Sequence, residues 1–327
     1  MALLPRAARS HRIVLLPEAD HVVLAPGRSE TFSIGGVGLH LHCARGEKPL
    51  VLPNAYRPFR SAQGNRDVEV RVGSTEALET LDGPVVYTRA HHWRARSGER
   101  SLAFELFYPP SSEVYCRMRG GPEFSKLELE FGRRNLERLP EDFRRQSDGH
   151  LWLPHPFEQL ALIPTLARRG GFLVHACGVV VSGKGLVFAG HSGDGKTTLS
   201  RLLAKDGFEL LSDERVAIRQ SDDGTFRVHG TPWAGEGEVV SNGSVPLGGI
   251  FLLEKASEHR LVFAPAGELV AELLARSLVP YYLENEVTRI LSLVERAALA
   301  VPMGALSFSL DTGLAPLLER IVEPVSA

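Results

Sequence analysis

Leu186-Val187-Phe188-Ala189-Gly190-His191-Ser192-Gly193-Asp194-Gly195-Lys196-Thr197-Thr198-Leu199 is the stretch whose reading decides the fold. Gly190–Thr197 fits G-x-x-x-x-G-K-[ST], and a chance match in a chain of this composition is roughly one in a hundred. An apolar, β-prone run leads into it. A helical pattern follows from Lys196 to Lys205, with Leu199, Leu202 and Leu203 on one face and Gly207 past its end. Glycines permit positive φ and close backbone approach, so that successive N–H groups can ring a phosphate, and the helix N-terminus adds a positive field at the same point. Gly190, His191, Ser192, Gly193, Asp194, Gly195, Lys196, Thr197 and Thr198 are therefore the expected polyphosphate-binding residues. In that arrangement Lys196 reaches the β- and γ-phosphates and the Thr197 hydroxyl sits on Mg²⁺. His191 and Asp194 occupy permissive positions and read as loop residues.

Working outward, Val179–Val181 and Leu186–Ala189 flank the turn Ser182–Gly185, which predicts a hairpin rather than a βαβ unit before the loop. Phe172–Val174 is a further β-prone run. A helix over His155–Arg169, interrupted by Pro164, ends at Gly170-Gly171. Beyond the loop, Phe208–Leu211 reads as a strand running into Ser212-Asp213-Glu214. Two adjacent acids at a strand end are ordinary surface charge when alone. Beside a phosphate loop, one can hold the Mg²⁺ hydration shell and the other can take a proton from an attacking hydroxyl. Val216–Ile218 and Phe226–His229 form a second hairpin around Asp222-Asp223-Gly224, and Ile250–Leu253 is another strand. Helices are expected over Gly267–Leu278, Leu283–Ala298 and Leu314–Val322.

Residues 1–147 look β-rich, with strand-like runs at His21–Leu24, Val68–Val72, Val85–Thr88, Leu102–Tyr108 and Leu127–Phe131, and turn residues at Gly27-Arg28-Ser29 and Pro109-Pro110-Ser111-Ser112. No catalytic motif stands there. Adjacent His91 and His92 would point to opposite faces of a strand, so one ion cannot easily take both. Arg144–Gly149 reads as a linker. Two domains follow: a β-rich part over 1–147 and a nucleotide-binding part over 148–327.

The 327 residues are 43% hydrophobic and 23% charged, with a formal net charge of −2. That balance suits a folded protein and lacks the basic footprint of a general nucleic-acid binder. Three separated cysteines, Cys43, Cys116 and Cys177, show neither a zinc motif nor a disulfide framework. Ile13–Leu16, closed by Pro17, is too short for a signal-peptide core. Ala297–Phe308, cut by Pro302 and Gly304, is too short to span a bilayer. The expectation is a cytoplasmic protein without a membrane span.

His175, the loop, and Asp213-Glu214-Arg215-Val216, taken together from His175 to Ile218, resemble the C-terminal catalytic domain of HPr kinase/phosphorylase. That family of serine kinases has a phosphoenolpyruvate-carboxykinase-like fold. It shows a histidine ahead of the loop, then Gly-x-Ser-Gly-x-Gly-Lys-[Ser/Thr], then Asp-Asp-Arg-Val at the same spacings. The resemblance implies an α/β fold with a mixed, α+β type of sheet carrying a P-loop kinase domain. It implies ATP, or another NTP or pyrophosphate, with Mg²⁺ held by Thr197 and Asp213. It implies a catalytic set of Asp213, Glu214, His175 and Lys196. His175 reads as lying near the acceptor or as a core histidine on a strand. The implied reaction is transfer of the γ-phosphoryl group to a hydroxyl, that of serine on a protein or peptide. A kinase of free serine or a sugar is the alternative enzyme, and a nucleotide-binding regulator or assembly factor the non-catalytic one. The family also implies a homo-oligomer.

Three departures stand out. The second acid is Glu214 where the family has aspartate. The family's Pro-Gly-Arg signature, and with it a catalytic arginine, has no match. In its place stands His229-Gly230-Thr231-Pro232-Trp233-Ala234-Gly235-Glu236, a stretch closer to HPr-kinase-related proteins of biosynthetic gene clusters. Trp233 would stack on a base, line the acceptor pocket or cap the core, and Glu236 is a candidate for a second-sphere or an acceptor contact.

Overall fold

The computed structural model describes residues 21–89, 92–98, 101–108, 113–146, 149–310 and 313–322. The expectations on Ile13–Pro17, Pro109–Ser112 and His91 lie outside the described residues, as do positions 147 and 148 of the expected linker.

The first part runs β1 (His21–Leu24), β2 (Ser29–Ile34), β3 (Val37–Cys43), β4 (Leu50–Pro53), β5 (Val68–Thr75), β6 (Val85–Arg89), β7 (Trp93–Ser97), β8 (Leu102–Tyr108), β9 (Glu113–Gly120), β10 (Lys126–Gly132), α1 (Arg133–Glu137), α2 (Glu141–Gln146) and β11 (Leu151–Trp152). Eight of these strands form one sheet in the order β2-β3-β5-β10-β9-β8-β7-β6, and β1, β4 and β11 form a small second sheet. Both are mixed: β5 runs parallel to β3 and β10, and β11 runs parallel to β4. Alternation explains β3, where Leu39, Leu41 and Cys43 are buried while His40 and His42 face outward. The expected linker begins inside α2.

The second part runs α3 (Phe157–Arg168), β12 (Gly171–Val181), β13 (Lys184–Ala189), α4 (Lys196–Lys205), β14 (Glu209–Ser212), β15 (Arg215–Gln220), β16 (Phe226–His229), β17 (Ser244–Lys255), β18 (Arg260–Phe263), α5 (Ala266–Ala275), α6 (Glu284–Ala300), β19 (Met303–Phe308) and α7 (Ala315–Val322). The hairpin before the loop is present as β12–β13. Pairings run from β12 to β15, β16, β17, β13 and back to β12, closing a ring of five strands. β19 and β18 extend this sheet from β17. The architecture is mixed α/β with several mixed sheets.

Two differences from the sequence reading have physical causes. β12 is one continuous strand through His175, because Gly178 removes a side chain that would meet Val216 Cγ1 at 2.7 Å. The helix expected to Leu278 stops at Ala275, because the next residues pair with β12 through a Val174–Ser277 bridge and the Leu278 N–H bond to Leu173 O at 2.9 Å. Ala297–Phe308 supplies the end of α6 and the strand β19. Among the described residues no helix is long and apolar enough to cross a membrane.

α3 joins the two parts. Residues Phe157–Ala167 are all buried, so the helix has no solvent face. It packs on β3 and β5 on one side and on β12 and α6 on the other. One hydrophobic cluster consequently runs from Val22 to Met303 across both parts. A second lies under the loop, where Leu199 and Leu203 of α4 and Leu318 of α7 meet Phe188, Phe251 and Phe308.

At residue 230 only glycine fits: a Cβ would lie 1.9 Å from Ser241 O and 2.6 Å from Leu211 O, both main-chain atoms. Gly230→Ala is expected to lower unfolding stability by about 2 kcal/mol, through forced backbone movement. Gly121→Ala, which meets nothing within 4 Å, should leave the denaturant midpoint unchanged.

Candidate active site

β13 lies between β12 and β17 and runs parallel to β17, so the loop leaves the middle of the sheet at a strand C-terminus. The first loop residue is tied down at once, with Gly190 N–H donating to His175 O at 3.2 Å. Gly193 and Gly195 take φ of 94° and 103°, the left-handed turn that starts α4. A side chain at 195 would also strike Phe308 Cζ at 2.9 Å. Lys196 is 5% exposed and folds back, with Nζ donating to Gly190 O at 3.1 Å and to His191 O at 3.0 Å. Burial lowers its pKa against the opposing pull of the Glu214 and Asp194 charges. His191, Ser192 and Gly193 are exposed, while Thr197 and Thr198 are half-buried.

The two acids follow β14, which pairs with β12 on the edge opposite β13. β12 thus separates the acidic strand from the loop strand, and the acids are not on an immediately neighbouring strand. Ser212 Oγ accepts the N–H groups of Glu214 and Arg215, each at 3.2 Å, and turns the chain there. Glu214 then meets His175, with Nε2 and Oε1 3.0 Å apart, and the Arg215 guanidinium at 3.4 Å. Burial pushes the Glu214 carboxyl up, but the His175 hydrogen bond and the charges of Arg215, His175 and Lys196 win and hold it at about 2.

Asp213 is differently placed. It is fully buried, with Oδ1 accepting Gly235 N–H at 2.9 Å and Oδ2 accepting Gly237 N–H at 2.7 Å. A side chain at 237 would sit 2.5 Å from that oxygen. Asp213 is thus the anchor of the loop after Trp233. Its charge also reaches Cys177, as does that of Lys196. Burial and the Asp213 charge push the thiol up to about 12. His175, Glu214 and Lys196 are therefore gathered at the loop mouth, while Asp213 stands behind them with both oxygens engaged.

Gly235, Gly237 and Ser212 were not singled out from sequence, because their roles depend on partners distant in the chain or on a buried turn. Arg276 is a further residue of this kind. Its carbonyl accepts the His175 N–H at 2.8 Å, and its guanidinium pairs with the Glu272 carboxylate at 2.7 Å. That carboxyl is held below its ordinary value by Arg276 first and, more weakly, by His191 of the loop. Glu272 and Arg276 are four apart, so in sequence they read only as a helix surface pair. Trp233, 6% exposed, belongs to the core near Tyr56 and Glu158 rather than to an open stacking surface.

The donor chemistry fits a polyphosphate with Mg²⁺. The loop offers an ammonium and a helix N-terminus, Thr197 offers a hydroxyl at the helix start, and each Asp213 oxygen keeps a lone pair beyond its glycine N–H bond. Two open clefts of about 630 and 600 Å³ lie in the first part of the chain, lined by residues such as Lys48 and Trp152 or His42 and Arg71, and neither includes a loop residue.

The family model described as SynChlorMet cassette protein ScmC matches residues 155–310, just under half of the chain. The matched stretch contains the loop, both acids, His175 and Arg276. Among solved structures, the Hpr(Ser) kinase/phosphatase from Coxiella burnetii is similar over 46% of this chain and 87% of its own, at 15% identity and a TM-score of 0.27. That likeness is too distant to carry an assignment. No curated protein matches the sequence.

The Glu214 carboxyl is held at about 2 in the fold against an ordinary 4.5, so its contacts stabilise the protein above pH 4.5 and this contribution is lost as pH falls from 4.5 towards 2. In His175→Ala the carboxyl returns towards its ordinary value. The drop in melting temperature between about pH 7 and about pH 3 should be smaller in the variant than in the wild type.

Proposed function

We propose that the protein is an ATP-dependent kinase that transfers the γ-phosphoryl group to a hydroxyl, that of serine on a protein or peptide. The observation that carries this reading is the position of His175. Its carbonyl holds the first residue of the phosphate loop and its side chain holds Glu214. Donors for the phosphate and an acid–histidine pair for the incoming hydroxyl thus share one strand.

Bound ATP supplies the phosphoryl group, and Mg²⁺ offsets its charge. Lys196 and the loop N–H groups would stabilise the phosphate oxygens, and Thr197 and Asp213 would hold the metal ion. The hydroxyl proton would pass to the Glu214–His175 pair. A carboxylate held near 2 is ionised throughout the neutral range and so stands ready to accept the hydroxyl's hydrogen bond, with His175 orienting it. Arg276 meets His175 through its carbonyl while its guanidinium pairs with Glu272, and it is our candidate for the arginine that the resembling family uses. This assigns nucleotide binding to 148–327 and acceptor recognition to 1–147. Support for the latter is that Tyr87 of β6 stacks on Tyr281 and approaches Tyr282, just beyond Arg276, and that the Arg89 charge reaches Arg215.

A second reading, a nucleotide-binding regulator without transfer activity, is favoured by Asp213, whose oxygens both serve the Gly235–Gly237 turn.

Glu214→Gln separates the two. In a kinase it retains ATP binding and loses transfer by roughly 10²-fold or more, and Lys196→Ala loses binding as well. Transfer is followed by mass spectrometry of serine-containing peptides incubated with ATP and Mg²⁺. Binding without phosphorylated product in the wild type decides for the regulator.

A further inference from the structure

The phosphate loop contains an acid that works against its own ligand. We propose that the Asp194 carboxylate is a built-in competitor for phosphate, seated in the loop so that a bound polyphosphate must displace it. This rests on reading Gly190–Thr197 as a phosphate cradle.

Asp194 Oδ2 accepts the His191 N–H at 2.5 Å, and Asp194 N–H returns to His191 O at 3.2 Å. The two residues close the loop upon itself and use N–H groups of the kind that phosphate oxygens take in such loops. The carboxylate folds over the first loop residue: a Cβ on Gly190 would lie 3.0 Å from Asp194 Cβ and 3.2 Å from Oδ2. The absence of a side chain at 190 gives it that room. Its charge also acts on Lys196, the cation expected to meet the phosphate. An anion is therefore already paired with one of the loop's N–H donors.

Two consequences follow from the charge. Affinity for a free polyphosphate is held down, because the displaced carboxylate stays near the incoming phosphate oxygens. Ligands whose charge is offset by a divalent cation are favoured over bare ones, since the repulsion is smaller for them. The site is thereby tuned to the metal complex of the nucleotide.

The test compares wild type, Asp194→Asn and Asp194→Ala by titration calorimetry with ATP and with tripolyphosphate, each with and without MgCl₂. Asparagine keeps an oxygen for the His191 N–H and removes only the charge, so its unliganded melting temperature reports whether the loop stays intact. Asp194→Asn should bind both ligands at least about tenfold more tightly than wild type. The gap should narrow as salt is raised, and should be widest without Mg²⁺. Lys196→Ala on the Asp194→Asn background should abolish the gain. Equal or weaker binding by folded Asp194→Asn and Asp194→Ala, with the wild type binding, overturns this inference alone and makes Asp194 a brace of the turn. If none of the three binds either ligand, the phosphate-cradle reading falls with it.

Discussion

The hydrogen bonding of one residue, His175 in the middle of β12, holds the candidate site together. Its N–H goes to Arg276, its carbonyl to Gly190 and its imidazole to Glu214. Each of these partners belongs to a different connection of the chain. Loop residues on their own have many conformations, and ordering them costs about 1–2 kcal/mol each in backbone entropy. Main-chain bonds to a buried strand offset that cost, because the strand is already fixed by β13, β14 and β15 on its flanks. The loop, the acid and the arginine are thus registered against a common ruler.

Burial divides the charges of the site into distinct roles. Asp213 is wholly buried, and an isolated charge there would be too costly to keep, so both of its oxygens take backbone donors. Glu214 is partly open and meets side chains, His175 and Arg215, rather than backbone donors, so its contacts are ones a ligand group can replace. Lys196 is buried and bonded to carbonyls of its own loop, contacts an ammonium can trade for phosphate oxygens. Cys177 lies in the field of Asp213 and Lys196, and burial keeps its thiol protonated.

The parts legible in the sequence are those set by neighbouring residues. Gly190–Thr197 carries its turn and its helix start within eight positions, and the β12–β13 hairpin is signalled by Ser182–Gly185. Helices α3, α4, α6 and α7 follow from apolar spacing. What escaped was set by distant contacts. Asp213 reads in sequence as a metal ligand; its second role, anchoring Gly235 and Gly237, depends on a later return of the chain. β9 carries Arg117 inside the protein against Glu105, which hides its alternation. β19 contains Gly304, which reads as a breaker, yet a Cβ there would lie 2.1 Å from Val262 O, so the residue lets β18 pair closely. α5 ends early because β12 captures the following residues, a competition that local propensity does not contain.

The ring of five strands has a consequence for assembly. Its first two members, β12 and β13, emerge from the ribosome together with the loop between β13 and α4, but the ring closes only when β17 slots in beside β13. The segment that bonds His175 arrives later still. In a nascent chain the glycine-rich bend therefore has only its bond to His175 within the hairpin, and lacks its later partners until much of the remaining polypeptide has been made. The long sequence separation of the strands that must meet is the kind of topology that slows completion of a site.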